Sequence, residues 1–182
     1  MSDREILENI LSEENVNESI KENFSVLTKI IPELKPMIGF EHKHPHHHLD
    51  VWNHTLLAVS LSDNLEVRLI LLFHDIGKPY CFTEENGVRH FKGHAKVSSL
   101  LSRPILERLG YDSKYIDKIC YLIEMHDTPL TVSDIVNNYE LSYERFLVQK
   151  CDALAHNPNK LKKRKEYLNE RENLLKKLYN FN

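Results

Sequence analysis

Apolar residues recur along most of the chain at spacings of three and four, the period of a helix that buries one face. This pattern predicts helices over about 3–11 and 17–31, the second capped by Asn17 and stopped by Pro32 and Pro36. Residues 32–48 read as a loop carrying Gly39 and a cluster of histidines. Further helices are predicted near 50–61, 64–76, 93–109, 112–125, 131–138, 142–156 and 159–180. Within residues 80–91, Asn86-Gly87 separates Tyr80–Thr83 from Val88–Phe91, the pattern of a small β-hairpin. The expected fold class is therefore all-α, a helical bundle with one small hairpin. With no internal repeat and no low-complexity linker, a single unit is expected. Its core spans 37–156, N-terminal helices over 1–36 pack on that core, and a basic C-terminal helix over 157–182 belongs to the same domain.

Composition narrows the class without choosing a function. The 182 residues are 41% hydrophobic and 28% charged, ordinary for a globular domain. A formal charge of −3 excludes a strongly basic nucleic-acid coat. The longest apolar run, Leu69–Phe73, is far short of the roughly twenty residues that cross a bilayer. The stretch Met1–Glu5 lacks signal-peptide character, so no membrane association and a cytoplasmic location are expected. Cys81, Cys120 and Cys151 form no CxxC pair and read as packing thiols in a reducing compartment. From Asn159 to Asn182, eight Lys/Arg stand against three Glu. That tail reads as a solvated helix docked through Leu161, Leu168, Leu174, Leu175 and Leu178, in preference to a face for a polynucleotide backbone.

Eleven histidines change the picture, and five of them lie between His42 and His48. Lys43 and Pro45 interrupt that run in mid-chain, so it is native and no affinity tag. On predicted helices, His54 shares a face with Val51, Ala58 and Leu61, and His94 with Val97, Leu101 and Ile105. His126 follows Ile119, Leu122 and Ile123, and Asp152 lies with Val148 and Ala155. His74-Asp75 ends an apolar helix that Gly77 and Pro79 terminate. Unpaired burial of imidazoles and carboxylates costs several kcal/mol each. A bound divalent metal is the economical compensation, since these are the ligands of Zn, Mn, Fe and Ni sites. Any one of the histidines alone reads more simply as a core residue or a helix-end cap; together with the His-Asp pair they read as a metal site inside a bundle.

The set His54 … His74-Asp75 … Asp152 resembles the HD domain superfamily of metal-dependent phosphohydrolases, and His74-Asp75-Ile76-Gly77-Lys78 resembles its HDIG(K) signature. Gly39-Phe40, Pro45-His46-His47, Asp50–Leu56 and Phe91-Lys92-Gly93-His94 are further similar to the HD region of bacterial tRNA nucleotidyltransferases, the CCA-adding enzymes. Residues 1–36 hold no Gly-Ser followed by paired carboxylates, so nucleotide addition is expected to be absent. The resemblance implies one metal held by His54, His74, Asp75 and Asp152, and a second that adds His94 and His126 with Asp75 as bridge. One or two divalent ions (Mn, Ni, Co, Fe, Mg or Zn) are thus implied, and such ions lower the pKa of a water toward about 7. It further implies catalytic roles for Asp75, for Lys78 as a cation beside the phosphoryl group, and for His47 as a phosphate contact or proton donor. Arg103 and Lys150 are additional cationic candidates for phosphate. His42, His44, His46 and His48 read as surface residues, His90 as a residue of the pocket mouth, and His156 as a helix C-terminal histidine. Trp52, Tyr80, Phe82 and Phe91 read as structural.

The implied function is hydrolysis of a phosphomonoester or phosphodiester of a nucleotide or related small molecule, with an RNA 3′ end among the partners. A non-catalytic, metal-stabilised module that grips a nucleotide or tRNA is the competing expectation, and a di-iron oxygenase uses the same six ligands.

Overall fold

Every helix that the apolar period predicts has a counterpart in the structure, a computed structural model in which residues 1–179 are described. In chain order these are α1 (Asp3–Ser12), α2 (Val16–Glu22), α3 (Phe24–Ile30), α4 (Val51–Ser60) and α5 (Leu65–Phe73). After a hairpin of β1 (Thr83–Glu85) and β2 (Val88–His90) come α6 (His94–Arg108), α7 (Ser113–Glu124), α8 (Val132–Asn137), α9 (Tyr139–Leu154) and α10 (Lys162–Tyr179). The expected end of the last helix, residue 180, lies outside the described residues. The fold is the all-α one expected, and among the described residues no helix is long and apolar enough to cross a membrane.

Short polar side chains set where the helices begin. Asp50, Asn64, Asp112 and Asn138 each accept a hydrogen bond from a backbone N–H in the first turn of α4, α5, α7 and α9. Such caps are worth about 1 kcal/mol each. The apolar run of the sequence becomes the centre: in α5 every residue from Val67 to Phe73 is buried, with α1, α4, α7 and α9 packed around it. Arg68 sits inside this run because its guanidinium donates to the carbonyls of Leu11, Glu13 and Ser62 and so closes the end of α1. A smaller cluster of Leu130, Ile135, Phe146, Ala153, Leu168 and Leu175 docks α10 on α8 and α9. The tail is thus a docked helix, with Leu161, Leu174 and Leu178 only half-buried.

Four local expectations need correction. The helix expected over 17–31 is two helices, capped by Asn15 and broken at Asn23, whose side-chain amide donates to the Ser19 carbonyl. The supposed loop 32–48 begins as a 3₁₀ turn, Pro32–Met37. The first hairpin strand is Thr83–Glu85, because Asn86-Gly87, both at positive φ, pairs Glu85 with Val88. Leu61, assigned to the buried face of His54, is 45% exposed beyond the end of α4.

Candidate metal centre

Four histidines and two aspartates meet where α4, α5, α6, α7 and α9 come together. Only His54 and Asp152 lie in helix interiors or last turns; His74 caps α5, His94 is the first residue of α6, Asp75 follows His74, and His126 lies just beyond α7. The expectation that all six project from helix faces therefore gives way to a centre built largely on helix ends. There the last carbonyls lack intrahelical partners. His74 Nδ1 donates to the Leu71 carbonyl at 2.6 Å and His126 Nδ1 to the Ile123 carbonyl at 2.7 Å. His94 Nδ1 donates to the Phe91 carbonyl at 2.9 Å and His54 Nδ1 to the Ala155 carbonyl at 3.2 Å. A carbonyl can only accept, so each Nδ1 carries a proton and each Nε2 is turned to the interior, the orientation in which a metal-ligating imidazole is held.

All four Nε2 atoms face carboxylate oxygens. His54 Nε2 is 3.0 Å from Asp152 Oδ1 and 3.6 Å from Asp75 Oδ2. His74 Nε2 is 3.3 Å from Asp75 Oδ2 and 3.5 Å from Asp152 Oδ1. On the other side of Asp75, Oδ1 lies 3.3 Å from His94 Nε2 and 3.9 Å from His126 Nε2, which are 3.1 Å apart. His74 Nε2 and Asp75 Oδ1 are buried without any hydrogen-bond partner. An orphaned buried polar atom costs about 1–3 kcal/mol. Imidazole nitrogens and carboxylate oxygens that converge in this way call for positive charge between them, and such a donor set suits a divalent metal.

The electrostatics express the same demand. Burial alone lowers the His74 ring, yet the negative charges of Asp75 and Asp152 outweigh it and raise it to about 10. Asp75 and Asp152, which burial pushes up, are held well below the usual carboxylate range, Asp75 by His74 and Lys78 and Asp152 by His54 and His74. His126 is pushed down to about 4 by burial and by His74 and His94. Three sets of ligand atoms lie close enough to share an ion: His54, His74 and Asp152; His74, Asp75 and His126; and His94, His126 and Asp127. Asp127 has no counterpart in the reading of the sequence. It follows His126 and is half-exposed.

Two structural devices hold these ends together. Gly77 N–H donates to Ser98 Oγ at 2.9 Å, and a Cβ on Gly77 would meet Ser98 N at 2.6 Å and the His94 carbonyl at 2.8 Å. The glycine of the His74–Lys78 run is thus needed for close approach of α5's end to α6. Arg145 and Gln149 of α9 donate to the carbonyls of Met125 and Thr128, which fixes the turn carrying His126 and Asp127.

Around the centre lies a cavity of about 390 Å³, lined among others by His47, Asp75, Lys78, His90, His94 and Asp152. Lys78 donates to Asp75 Oδ2 at 2.7 Å and to His42 Nε2 at 3.0 Å. His42 is no surface residue: it is 2% exposed, its Nδ1 donates to the Leu49 carbonyl, and its ring stacks on His47 at 3.6 Å. His47 is held neutral by burial and by the Lys78 charge, which disfavours it as a proton donor, and its Nδ1 is buried without a partner. His156 caps α9 as expected by donating to the Asp152 carbonyl, and also lines the cavity beside His47. Arg103 corrects an expectation: it pairs with Asp117 at 2.7 Å on the exposed side of α6 and does not line the cavity. Lys150 pairs instead with Glu172. Arg164 of α10, unsuspected from the sequence, does line the cavity.

Helix ends that gather four imidazoles and two carboxylates at one buried point give a helical domain with a donor set suited to a metal ion. The family model of the HD domain matches residues 46–176, and the chain belongs to the HD-domain family, a family of metal-dependent hydrolases. The chain is 32% identical over 141 residues to the CC-adding tRNA nucleotidyltransferase of Thermus thermophilus, covering 73% of this chain and 31% of that protein. It is 31% identical over 121 residues to the A-adding tRNA nucleotidyltransferase of Deinococcus radiodurans, covering 62% of this chain and 28% of the relative. A multifunctional CCA protein of Psychromonas ingrahamii is 31% identical over 105 residues, which is 55% of this chain and 25% of its own length. The chain thus spans less than a third of the length of these relatives.

Proposed function

We propose that the protein is a metal-dependent phosphohydrolase that cleaves a phosphomonoester or phosphodiester of a nucleotide or related small molecule. The observation that carries this reading is the convergence of four Nε2 atoms on Asp75 and Asp152, with His74 Nε2 and Asp75 Oδ1 unpartnered. In this reading His54, His74, Asp75 and Asp152 would hold one divalent ion, and Asp75, His94 and His126 would serve a second. The ions supply Lewis-acid charge and a lowered water pKa.

The chain's own groups do the rest. The carbonyls of Ala155, Leu71, Phe91 and Ile123 fix the ring orientation of the four histidines. Lys78 has three N–H donors, two of them engaged by Asp75 and His42, and offers the third to a phosphoryl oxygen. His47 binds substrate through its unpartnered Nδ1 as a neutral wall of the cavity. The relatives' names concern tRNA, which supports including a ribonucleotide end among the substrates.

The test is a screen of metal-stripped protein reloaded with Mn, Ni, Co, Mg or Zn. Substrates are an aryl phosphate, its bis ester, 2′,3′-cyclic nucleotides and mononucleotides, with Asp75→Ala run beside wild type. Turnover that needs both metal and Asp75 is expected. Metal binding without turnover on any substrate contradicts the hydrolase reading and leaves a metal-stabilised nucleotide-binding module.

A further inference from the structure

The cavity at the candidate metal centre adjoins a second one of about 380 Å³, with which it shares His126, Asp127, Asp152 and Arg164 as walls. The two differ in chemistry. The first is walled by histidines and charged groups, whereas the second runs between Thr128-Pro129 and α10, past Ala153, Tyr167 and Leu168. Two polar groups of its wall, on Tyr167 and Gln149, are already engaged. Tyr167 OH accepts from Leu130 N at 2.9 Å and donates to Gln149 Oε1 at 3.2 Å, and Gln149 Nε2 donates to the Met125 and Thr128 carbonyls. A ligand there meets a rigid, mainly apolar surface with an aromatic ring.

Arg164 lies at the junction. It is half-buried, and among the described residues its guanidinium has no hydrogen-bond or ion-pair partner, unlike Arg68, Arg103 and Arg145. It also sits with Lys162, Lys163 and Lys165 in the first turn of α10, with no acidic residue among them. Cations at that end oppose the helix dipole. Asp127 and Asp152 line the same two cavities, yet among the described residues no carboxylate lies within ion-pair distance of Arg164, which leaves its guanidinium open to an incoming anion.

We infer that Arg164 is an anion-binding residue of the site, and that the chamber between Tyr167 and Thr128-Pro129 seats the organic group attached to the phosphate. This rests on the phosphohydrolase reading for the identity of the anion. It assigns specificity to α10: the preferred ligand is a phosphate ester joined directly to a ring-bearing group of nucleoside size, held by its phosphate at Arg164 and by its ring against Tyr167. A guanidinium suits this task because its fork of N–H donors matches phosphate oxygens.

Titration calorimetry on the full chain loaded with Mn²⁺, using inorganic phosphate and adenosine 5′-monophosphate as probes, tests the inference. Wild type is expected to bind both, the nucleotide more tightly. Arg164→Ala should weaken both by about ten-fold or more with metal content and thermal midpoint unchanged, and Arg164→Lys should recover part of the loss. Thr128→Trp, which narrows the chamber from an exposed position, should weaken the nucleotide more than phosphate. Unchanged affinities in Arg164→Ala, or a loss of bound metal in that variant, overturn the anion role. Parallel effects on both probes in Thr128→Trp overturn the chamber assignment, and a wild type that binds neither probe overturns both. A wild type that binds as expected yet hydrolyses nothing leaves the inference standing and overturns the hydrolase reading instead.

Discussion

The histidines of this protein fall into two regions with opposite fates. Along 42–48 the chain offers five rings close in sequence, yet His46 and His48 are exposed, His44 (expected at the surface) and His47 line the cavity, and His42 is buried behind them. The four rings of the metal centre are scattered from 54 to 126 and all converge. What separates them is the partner of Nδ1. His54, His74, His94 and His126 each donate to a backbone carbonyl, which fixes the ring and aims Nε2 at a carboxylate. His42 shares the device through the Leu49 carbonyl, but its Nε2 meets Lys78 and not a lone pair. Helix-end capping and metal ligation thus call on different nitrogens of one ring and are not rival readings of it.

Breaking the comparison at its centre should have the largest effect. Asp75→Asn removes the charge that both halves of the centre face, and should reduce metal affinity beyond the 10–100-fold that outer partners of a metal site are worth, with turnover lost. Elemental analysis after dialysis checks it. Gly77→Ala acts on the scaffold alone. Forcing a Cβ against Ser98 N and the His94 carbonyl should lower stability by about 1–3 kcal/mol in denaturant titration and weaken metal retention with it.

The next two sharpen the comparison. His42→Ala frees Lys78 from one of its partners and should lower turnover about ten-fold with metal content retained, whereas His48→Ala, exposed and outside the metal-side cavity, should match wild type in both assays. Equal effects of the two would erase the distinction drawn within the loop. The smallest change is expected for Asp127→Asn. This half-exposed carboxylate belongs only to the third ligand set, so its loss should weaken the last ion taken up and spare the first, as read by stepwise metal titration.

Helices and the hairpin were legible in the sequence because they rest on local rules: apolar period, short polar caps, and an Asn-Gly turn. The break at Asn23 was not, since it depends on a side chain competing for one carbonyl within an otherwise helical pattern. The six expected ligands were readable from their apolar surroundings and from the His-Asp pair, and the structure gathers all six. His42 was hidden among identical neighbours, because its burial follows from the bridge between Glu41 and Asp50 that closes the loop. Arg103 and Arg164 were exchanged in effect. Each is one arginine on a helix, and only tertiary packing sets one against Asp117 and the other beside the cavity.

The most direct test of the cation site is the thermal midpoint of chelator-stripped protein, recorded before and after adding stoichiometric divalent metal and paired with ion counting. Uptake of about one to two ions per chain with a rise in midpoint, both lost in Asp75→Asn, is the expected result, since a ligand that binds only the folded state stabilises it. A stripped protein that takes up no ion and melts at the same temperature with or without metal would contradict the reading of the Nε2 lone pairs as ligands.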